Sequence, residues 1–481
     1  MNKLDLRGKR VTIFIGSEVI GFLVSIGRLM AESHGAIVDY IISSKDKKNV
    51  ISKIHSGNAG INVLQETVIH NIQKKDIISK ALKIEDKYKI NLSGLIAEDR
   101  GLGQGYFGNA DKLPTIKRSL WSKETKLKSI IELFYRYEAL LNKTDLLIHQ
   151  YPDKIRNIIV THNEGISKCL IQARFGDRYM WSDNNFLTSS YFINSIKKNL
   201  NDYNPANSSI DYQVDSGAKI LIEKHFNKSY AKASIELLKN IIIKTKQALS
   251  GNYPNDSYYL YGWTPTIIRN VRNYNYIKKI GKNPTQLKKY KIVYFPLQIE
   301  PEVSLYLFSP EFTNFIEAIS WISKSVPADY IIVIKENIHF GTKSKNKYKQ
   351  LTKMANVCWA HPEISSWEWI ESSNLIATIT GTVGVEGVYF KKPVISFGAH
   401  QIINYLPTVL HVKNFMETRS AIHKLLNQKI SDSEYNKSRE VLYKSQIDSS
   451  FELIDYKNVN KTRDFLPEIA KIAINNFFDP I

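Results

Sequence analysis

Residues 376–398, IATITGTVGVEGVYFKKPVISFG, decide the fold. An apolar run from Leu375 to Ile379 reaches the small-residue turn Thr380-Gly381-Thr382-Val383-Gly384, and a helical segment opening with Glu386 follows. After Lys391-Lys392-Pro393 a second apolar run, Val394 to Phe397, stops at Gly398. Strand, glycine turn, short helix and strand form the grammar of a parallel α/β unit. In such a unit the turn beyond the strand's carboxyl end aims helix amides outward, and glycines let a phosphate or sugar approach the backbone. Short glycine patterns also occur in βα turns that hold no ligand. The stretch is therefore half of a candidate site, and the rest of the chain must supply the other half.

The same alternation extends in both directions. Val11 to Ile15 reads as a buried strand, residues 18–33 as a helix, and Ala36 to Ile42 as a second strand. Leu146 to Ile148 and Asn157 to Thr161 read as further strands, the latter leading into a helical ISKCLIQARFG; IELFYRYEALLNK has the apolar spacing of an amphipathic helix. Residues 227–249 form another helix, and a basic linker follows that Pro284 ends. Strands restart with KIVYFPL at Lys291, YIIVIKEN at Tyr330 and NVCWAHP at Asn356. A chain of 481 residues exceeds one hydrophobic core. The expected division is 1–283, with a helical insertion at about 190–283, and 284–481, with helices at its carboxyl end. Two parallel α/β domains so joined face each other across a cleft, the usual place for a ligand.

Composition, 43% hydrophobic and 23% charged, is that of an ordinary soluble globular protein. Cys169 and Cys358 lie far apart in apolar segments and read as reduced core residues, without disulfide or metal spacing. Glu18 interrupts the first apolar run and no cleavage pattern follows, so no signal peptide is expected there; no apolar stretch is long enough for a bilayer. A cytoplasmic protein is the expectation. The formal net charge of +20 is concentrated in runs such as Arg269 to Lys291, which contains no acid. A solvated linker face is the first reading, an anionic inner-membrane surface the second; Tyr274, Tyr276 and Tyr290 have the interleaving suited to stacked bases, but no nucleic-acid motif accompanies them.

Chemistry converges on loops that follow strands. Pro296 to Glu302, Lys335 to Gly341 and Thr380 to Glu386 should meet at one sheet edge. They offer Gln298, Glu300 and Glu302, then Lys335, Glu336 and Asn337, then Thr380, Gly381, Thr382, Val383, Gly384 and Glu386, a set suited to a phosphorylated sugar donor. Glu386 can accept from ribose hydroxyls or simply satisfy its helix's amino end. Lys335 can neutralise a phosphate or pair with a carboxylate. On the other wall stand Glu98-Asp99-Arg100-Gly101-Leu102-Gly103-Gln104-Gly105 and Thr161-His162-Asn163-Glu164-Gly165. Asp99, His162 and Glu164 are the candidates for a base that activates an acceptor hydroxyl, with Arg100, Arg174 and Arg178 on the acceptor side; His339 and His361 could stabilise charge. HExxH, Walker A and GxSxG patterns are absent, which disfavours zinc proteolysis, P-loop hydrolysis and serine esterase chemistry.

PLQIEPEVSLYLFSPEF, IIVIKEN and the stretch from FGTKSKNKYKQL to VISFG resemble, in this order, the carboxyl-terminal half of the bacterial capsule polysaccharide synthesis proteins, most clearly over residues 291–412. KIEDKYKINLSGLIAEDRGL and GISKCLIQARFGDRYMWSDN resemble the first half more weakly. That family includes transferases that add Kdo from a CMP-activated donor to a growing glycolipid. The resemblance implies a GT-B glycosyltransferase with a nucleotide-sugar donor, CMP-sugar favoured, in the second domain. It further implies a glycan or glycolipid acceptor toward the first, and neither cofactor nor obligatory metal. Where the family reads Lys-Glu-His-Pro this chain has Lys335-Glu336-Asn337-Ile338, and where it reads Glu-Ala this chain has Glu386-Gly387. Two alternatives remain beside the transferase: a hydrolysing nucleotide-sugar 2-epimerase, and an assembly factor of the same fold that has lost catalysis.

Overall fold

The computed structural model describes residues 5–15, 19–42, 61–65, 72–99, 102, 121–150, 152–205, 230–249, 264–299, 303–312, 315–337, 345–453 and 467–477. The chain forms two compact units. One comprises Met1–Ile96, Ser122–Asp202 and Leu442–Ile481; the other comprises Ala97–Trp121 and Tyr203–Val441. Each is built on a mostly parallel sheet flanked by helices, the α/β class expected.

The first unit contains β1 (Arg10–Ile15), β2 (Ile37–Ile42), β3 (Ile61–Gln65), β4 (Leu146–His149), β5 (Ile166–Gln172) and β6 (Arg178–Ser182). Their order is β3-β2-β1-β4-β5-β6, extended by the two-residue strand Phe451–Glu452. Pairs from β3 to β5 are parallel, while β6 runs antiparallel to β5 and to Phe451–Glu452. Strands covered on both faces read as continuous apolar runs, and Val11 to Ile15 and Val38 to Ile42 are buried throughout.

The second unit contains β7 (Lys291–Pro296), β8 (Tyr330–Lys335), β9 (Val357–Trp359), β10 (Leu375–Thr378), β11 (Val394–Ser396) and β12 (Val409–His411). All neighbours are parallel, in the order β12-β11-β10-β7-β8-β9. Strand order reverses between β7 and β10, where an open α/β sheet leaves a crevice beyond its strands' carboxyl ends.

Three expectations are corrected. Asn157 to Thr161 is not a strand but the end of the helix Lys154–His162, and the segment read as helical after it is β5. The signal was Asp153, whose carboxylate accepts from the amides of Ile155 and Arg156 and so starts a helix that buries Ile155, Ile159 and Val160. Secondly, the basic segment before Pro284 is no linker. It is largely the helix Thr264–Ile280, which buries Val271, Tyr274 and Ile277 and contributes Tyr274 and Ile277 to the second unit's core. Lys278 and the Tyr274 hydroxyl both donate to Glu363, at 2.6 and 2.7 Å. Residues 203–283 therefore belong to the second unit, against the boundary expected at 283.

Thirdly, the chain from Leu442 on, with the last helix Pro467–Asn475, belongs to the first unit rather than the second. Trp181 stacks on Phe477 with ring centroids 4.7 Å apart, and its indole N–H donates to the Ala473 carbonyl at 2.9 Å. Phe22 and Phe451 complete that cluster. Aromatic burial of this kind dominates core energetics. Trp181→Ala should destabilise the first unit by about 3–5 kcal/mol, whereas Met416→Ala, at a side chain 63% exposed, should change little. Urea denaturation of both variants checks this.

Candidate functional site

The crevice of the second sheet lies between the carboxyl ends of β7 and β10. Leu297 and Gln298 continue β7, and Leu297 still donates its amide to Lys335 of β8 at 2.7 Å. From β10 the chain turns through Ile379, Thr380 and Gly381 into the helix Val383–Tyr389, which opens before Glu386 rather than at it. The Thr378 hydroxyl accepts from the Gly381 amide at 2.9 Å and fixes that turn. Across the crevice the Gln298 amide donates to the Thr380 hydroxyl, and Thr380 is buried. Gln298 and Thr380, read from separate loops, are thus brought into contact at the point where strand order reverses.

The glycines of the turn serve packing more than ligand approach. A Cβ on Gly384 would come within 2.6 Å of Ile403 and 2.9 Å of Thr378, and one on Gly387 within 3.1 Å of Ile376 and 3.2 Å of Val394. Both let the helix lie close on the sheet, the packing role of a glycine in a dinucleotide-binding turn. Val383 is buried, while Thr382 is exposed at the helix start without a side-chain cap bond.

Glu386 has the most unusual environment of the set. Trp367 hydrogen-bonds its carboxyl group, but Oε2 is shut off from solvent and has no partner among the described residues. Burial pushes its pKa up to about 7, with the Trp367 bond acting in the opposite direction. Beneath it Tyr294 of β7 stacks on Trp369 at 6.4 Å between centroids, and burial together with the nearby Glu386 carboxylate raises the pKa of the Tyr294 hydroxyl. Trp367 and Trp369 lie on the helix Ser366–Ser372, started by the Ser365 hydroxyl accepting from the Glu368 amide at 3.1 Å. The Ser365-x-x-Glu368 spacing is the sequence signal for this helix.

The β8 end behaves differently from the expectation. Lys335 is buried and its ammonium donates to the carbonyls of Pro362 and Ile364, at 3.1 and 2.7 Å. Burial pulls its pKa down to about 8, against the pull of Glu368. Glu336, also buried, accepts from the Tyr348 hydroxyl at 2.5 Å and from the Asn337 amide at 2.8 Å. Lys335 and Glu336 are committed to holding neighbouring chain, not presented to a ligand, while Asn337 sits just beyond them. His361, beyond β9, accepts at Nδ1 from the Glu363 amide at 3.4 Å, and burial lowers its pKa. Glu300, Glu302 and His339 lie outside the described residues, as does Arg100.

On the acceptor side the structure removes the argument for His162 and Glu164. His162 ends the helix Lys154–His162 and Glu164 follows it, and both precede β5, at the amino edge of that strand rather than its carboxyl end. His162 packs on the Tyr88 ring at 4.8 Å, and Glu164 is an exposed turn residue with φ 63°. Asp99 accepts from the Leu102 amide at 2.6 Å. Arg178 donates to Ser450 Oγ and Ser450 O, both at 2.7 Å, and so anchors the segment after the helix Asp432–Asp448. Arg174 lies between β5 and β6 with φ 57°. Among the described residues no group of histidine, cysteine or carboxylate side chains could hold a metal ion, and no helix is long and apolar enough to cross a membrane.

Residues 210–403 match the family model described as capsule polysaccharide biosynthesis protein. Over that segment the chain is similar to the capsule polysaccharide biosynthesis proteins. The resemblance read from the sequence is borne out, and the capsule-synthesis segment includes both sides of the crevice, Gln298 and Thr380, as well as Glu386. No curated protein sequence matches the chain. Among solved structures it is similar to KpsC, a β-Kdo 2,7-transferase of Thermosulfurimonas dismutans, at 14% identity, covering 63% of this chain and 80% of that one with a TM-score of 0.34. It is also similar to Alr3699/HepE of Anabaena, solved with UDP and glucose, at 9% identity, 97% and 99% coverage and a TM-score of 0.30. A third is MnaA of S. aureus, solved with UDP, at 12% identity, 92% and 95% coverage and a TM-score of 0.27. These likenesses are distant, and the weight rests on the family match.

The pH dependence of Glu386 follows from its environment. A carboxyl whose folded pKa stands above its unfolded value contributes stability below the unfolded pKa and loses it as pH rises through the folded one. The window runs from 4.5 to about 7. Across it the wild type should lose on the order of 3 kcal/mol relative to Glu386→Gln. Thermal denaturation of both proteins between these pH limits and above gives the comparison.

Proposed function

We propose that the chain is a glycosyltransferase of bacterial surface polysaccharide assembly, of GT-B type, whose second unit takes a nucleotide-sugar donor at the crevice between β7 and β10. One observation carries this reading. The crevice of a capsule-synthesis segment is lined by the joined Gln298 and Thr380 side chains, and beside that turn Glu386 keeps a sealed, unpartnered carboxyl oxygen. A buried acceptor without a donor costs free energy that a ligand hydroxyl can return. A ribose hydroxyl of the donor is the group assigned to Oε2, reaching it once the side chains that cover that atom move aside. Exposed Thr382 and the amides of the turn then face the donor's phosphate.

The acceptor is a glycan or glycolipid, and a CMP-activated sugar such as Kdo is the favoured donor on the family's pattern. Asn337-Ile338, which replaces His-Pro at the end of β8, alters the donor side at that place. Transfer proceeds without a divalent metal, the charge on the leaving nucleotide being met by the turn's amides and hydroxyls.

Titration calorimetry with CMP-, UDP- and GDP-sugars tests the site. Gln298→Ala and Glu386→Ala should each weaken binding of the recognised nucleotide by about 1–3 kcal/mol, with the fold intact by circular dichroism. Unchanged affinity in both variants would remove the crevice as the donor site. Nucleotide-sugar turnover without any acceptor would favour the epimerase over the transferase.

Activity should also survive exhaustive EDTA treatment. Its loss, with rescue by magnesium or manganese, would contradict a metal-independent transfer.

A further inference from the structure

The helix Tyr230–Leu249 of the second unit carries an apolar stripe on its outer surface. Ile235, Leu238 and Ile242 follow helical i, i+3, i+7 spacing and are 54%, 59% and 56% exposed. The helix packs against Thr264–Ile280, and these side chains stay exposed, with no covering element among the described residues. Large aliphatic side chains rarely stand exposed in a row on a soluble protein, and a contiguous set marks a contact surface.

A second row sets the chemistry of the partner. Lys232, Lys239 and Lys246, all exposed, repeat every seven residues and so run along one line. At about 100° per residue that line lies about 40° to 60° round the helix from the Ile235 and Ile242 row. An apolar stripe edged by a line of lysines is the layout of a helix lying in a membrane interface, its aliphatic side chains among the acyl chains and its ammonium groups at the phosphates. The charge of the whole chain, +20, points the same way. It opposes the approach of a second copy and favours an anionic lipid surface.

We propose that the helix Tyr230–Leu249 docks the protein on an anionic lipid bilayer, lying on the surface and not crossing it. The docking face is separate from the crevice between β7 and β10, and it stands whether or not that crevice holds a nucleotide-sugar. The two are complementary, because a chain that extends a lipid-linked glycan must work at the surface where the lipid is held.

Flotation of the full chain with vesicles is the test, using phosphatidylcholine alone and phosphatidylcholine with about one-third phosphatidylglycerol. The wild type should float with the anionic vesicles, weakly or not at all with the neutral ones, and less as salt rises. Two variants divide the interaction: Lys232→Gln/Lys239→Gln/Lys246→Gln removes the charge, and Leu238→Ser/Ile242→Ser removes the apolar stripe. Each should lower binding to anionic vesicles about tenfold or more, and because the altered side chains are exposed, circular dichroism should be unchanged. Absence of wild-type flotation, or wild-type binding by either variant, would overturn the proposal. So would a dimer, seen by light scattering, that Leu238→Ser/Ile242→Ser dissociates, since the face would then belong to a second copy of the chain.

Discussion

The second unit depends on the parallel pairing of β7 with β10, made through Val293 with Leu375 and Tyr294 with Ile376. These strands are far apart in sequence. Between them the chain builds β8 and β9 on one side, and only then returns to start β10, β11 and β12 on the other. Because crossovers between parallel strands are right-handed, such a return sends the helices of the two halves to opposite faces of the sheet. The loops beyond β7 and β10 consequently diverge, and the gap between them is where Gln298 and Thr380 meet.

Around that gap, charged groups are spent on order. The Lys335 ammonium holds the carbonyls of Pro362 and Ile364, so the loop after β9 is pinned to the end of β8. That loop delivers Ser365, whose hydroxyl starts the helix Ser366–Ser372, and that helix carries Trp367 to the Glu386 carboxyl group. A lysine on one strand thereby positions an acid that follows another. Burying an ammonium is costly unless its protons find acceptors, and two carbonyls meet that need here. Glu336 works similarly on the helix Lys345–Thr352 through Tyr348.

Much of the fold was legible because strands buried on both faces announce themselves as apolar runs, as Ile331 to Ile334 and Val394 to Phe397 do. Asn157 to Thr161 misled for the same reason: three consecutive aliphatic residues suit a buried strand and a buried helix turn alike, and length and capping must arbitrate. The basic segment Arg269 to Lys291 has the charge of a solvated linker, whereas Tyr274 and Ile277, on one helical face, mark the buried side of a helix. Within the site, Thr380, Gln298 and Glu386 could be read from strand ends. Trp367 could not be matched to Glu386, since nothing local in either stretch predicts their meeting. Lys335, open by sequence to a phosphate or a carboxylate, and Arg178, expected on the acceptor side, both bind backbone carbonyls, a choice made by tertiary packing.

The course of the chain has a consequence for its biogenesis. Phe451, Ala473 and Phe477 complete a core begun by Phe22 and Trp181, with most of the second unit, Tyr203–Val441, made in between. During vectorial synthesis, domains fold as their residues emerge. The second unit has its six strands and their core once Val412 and Ile422 have left the ribosome, while the first still presents the bare face of Trp181. The half of the protein that begins first is therefore finished last, since the aromatic cluster of Phe22 and Trp181 is filled only by the final residues of the fold.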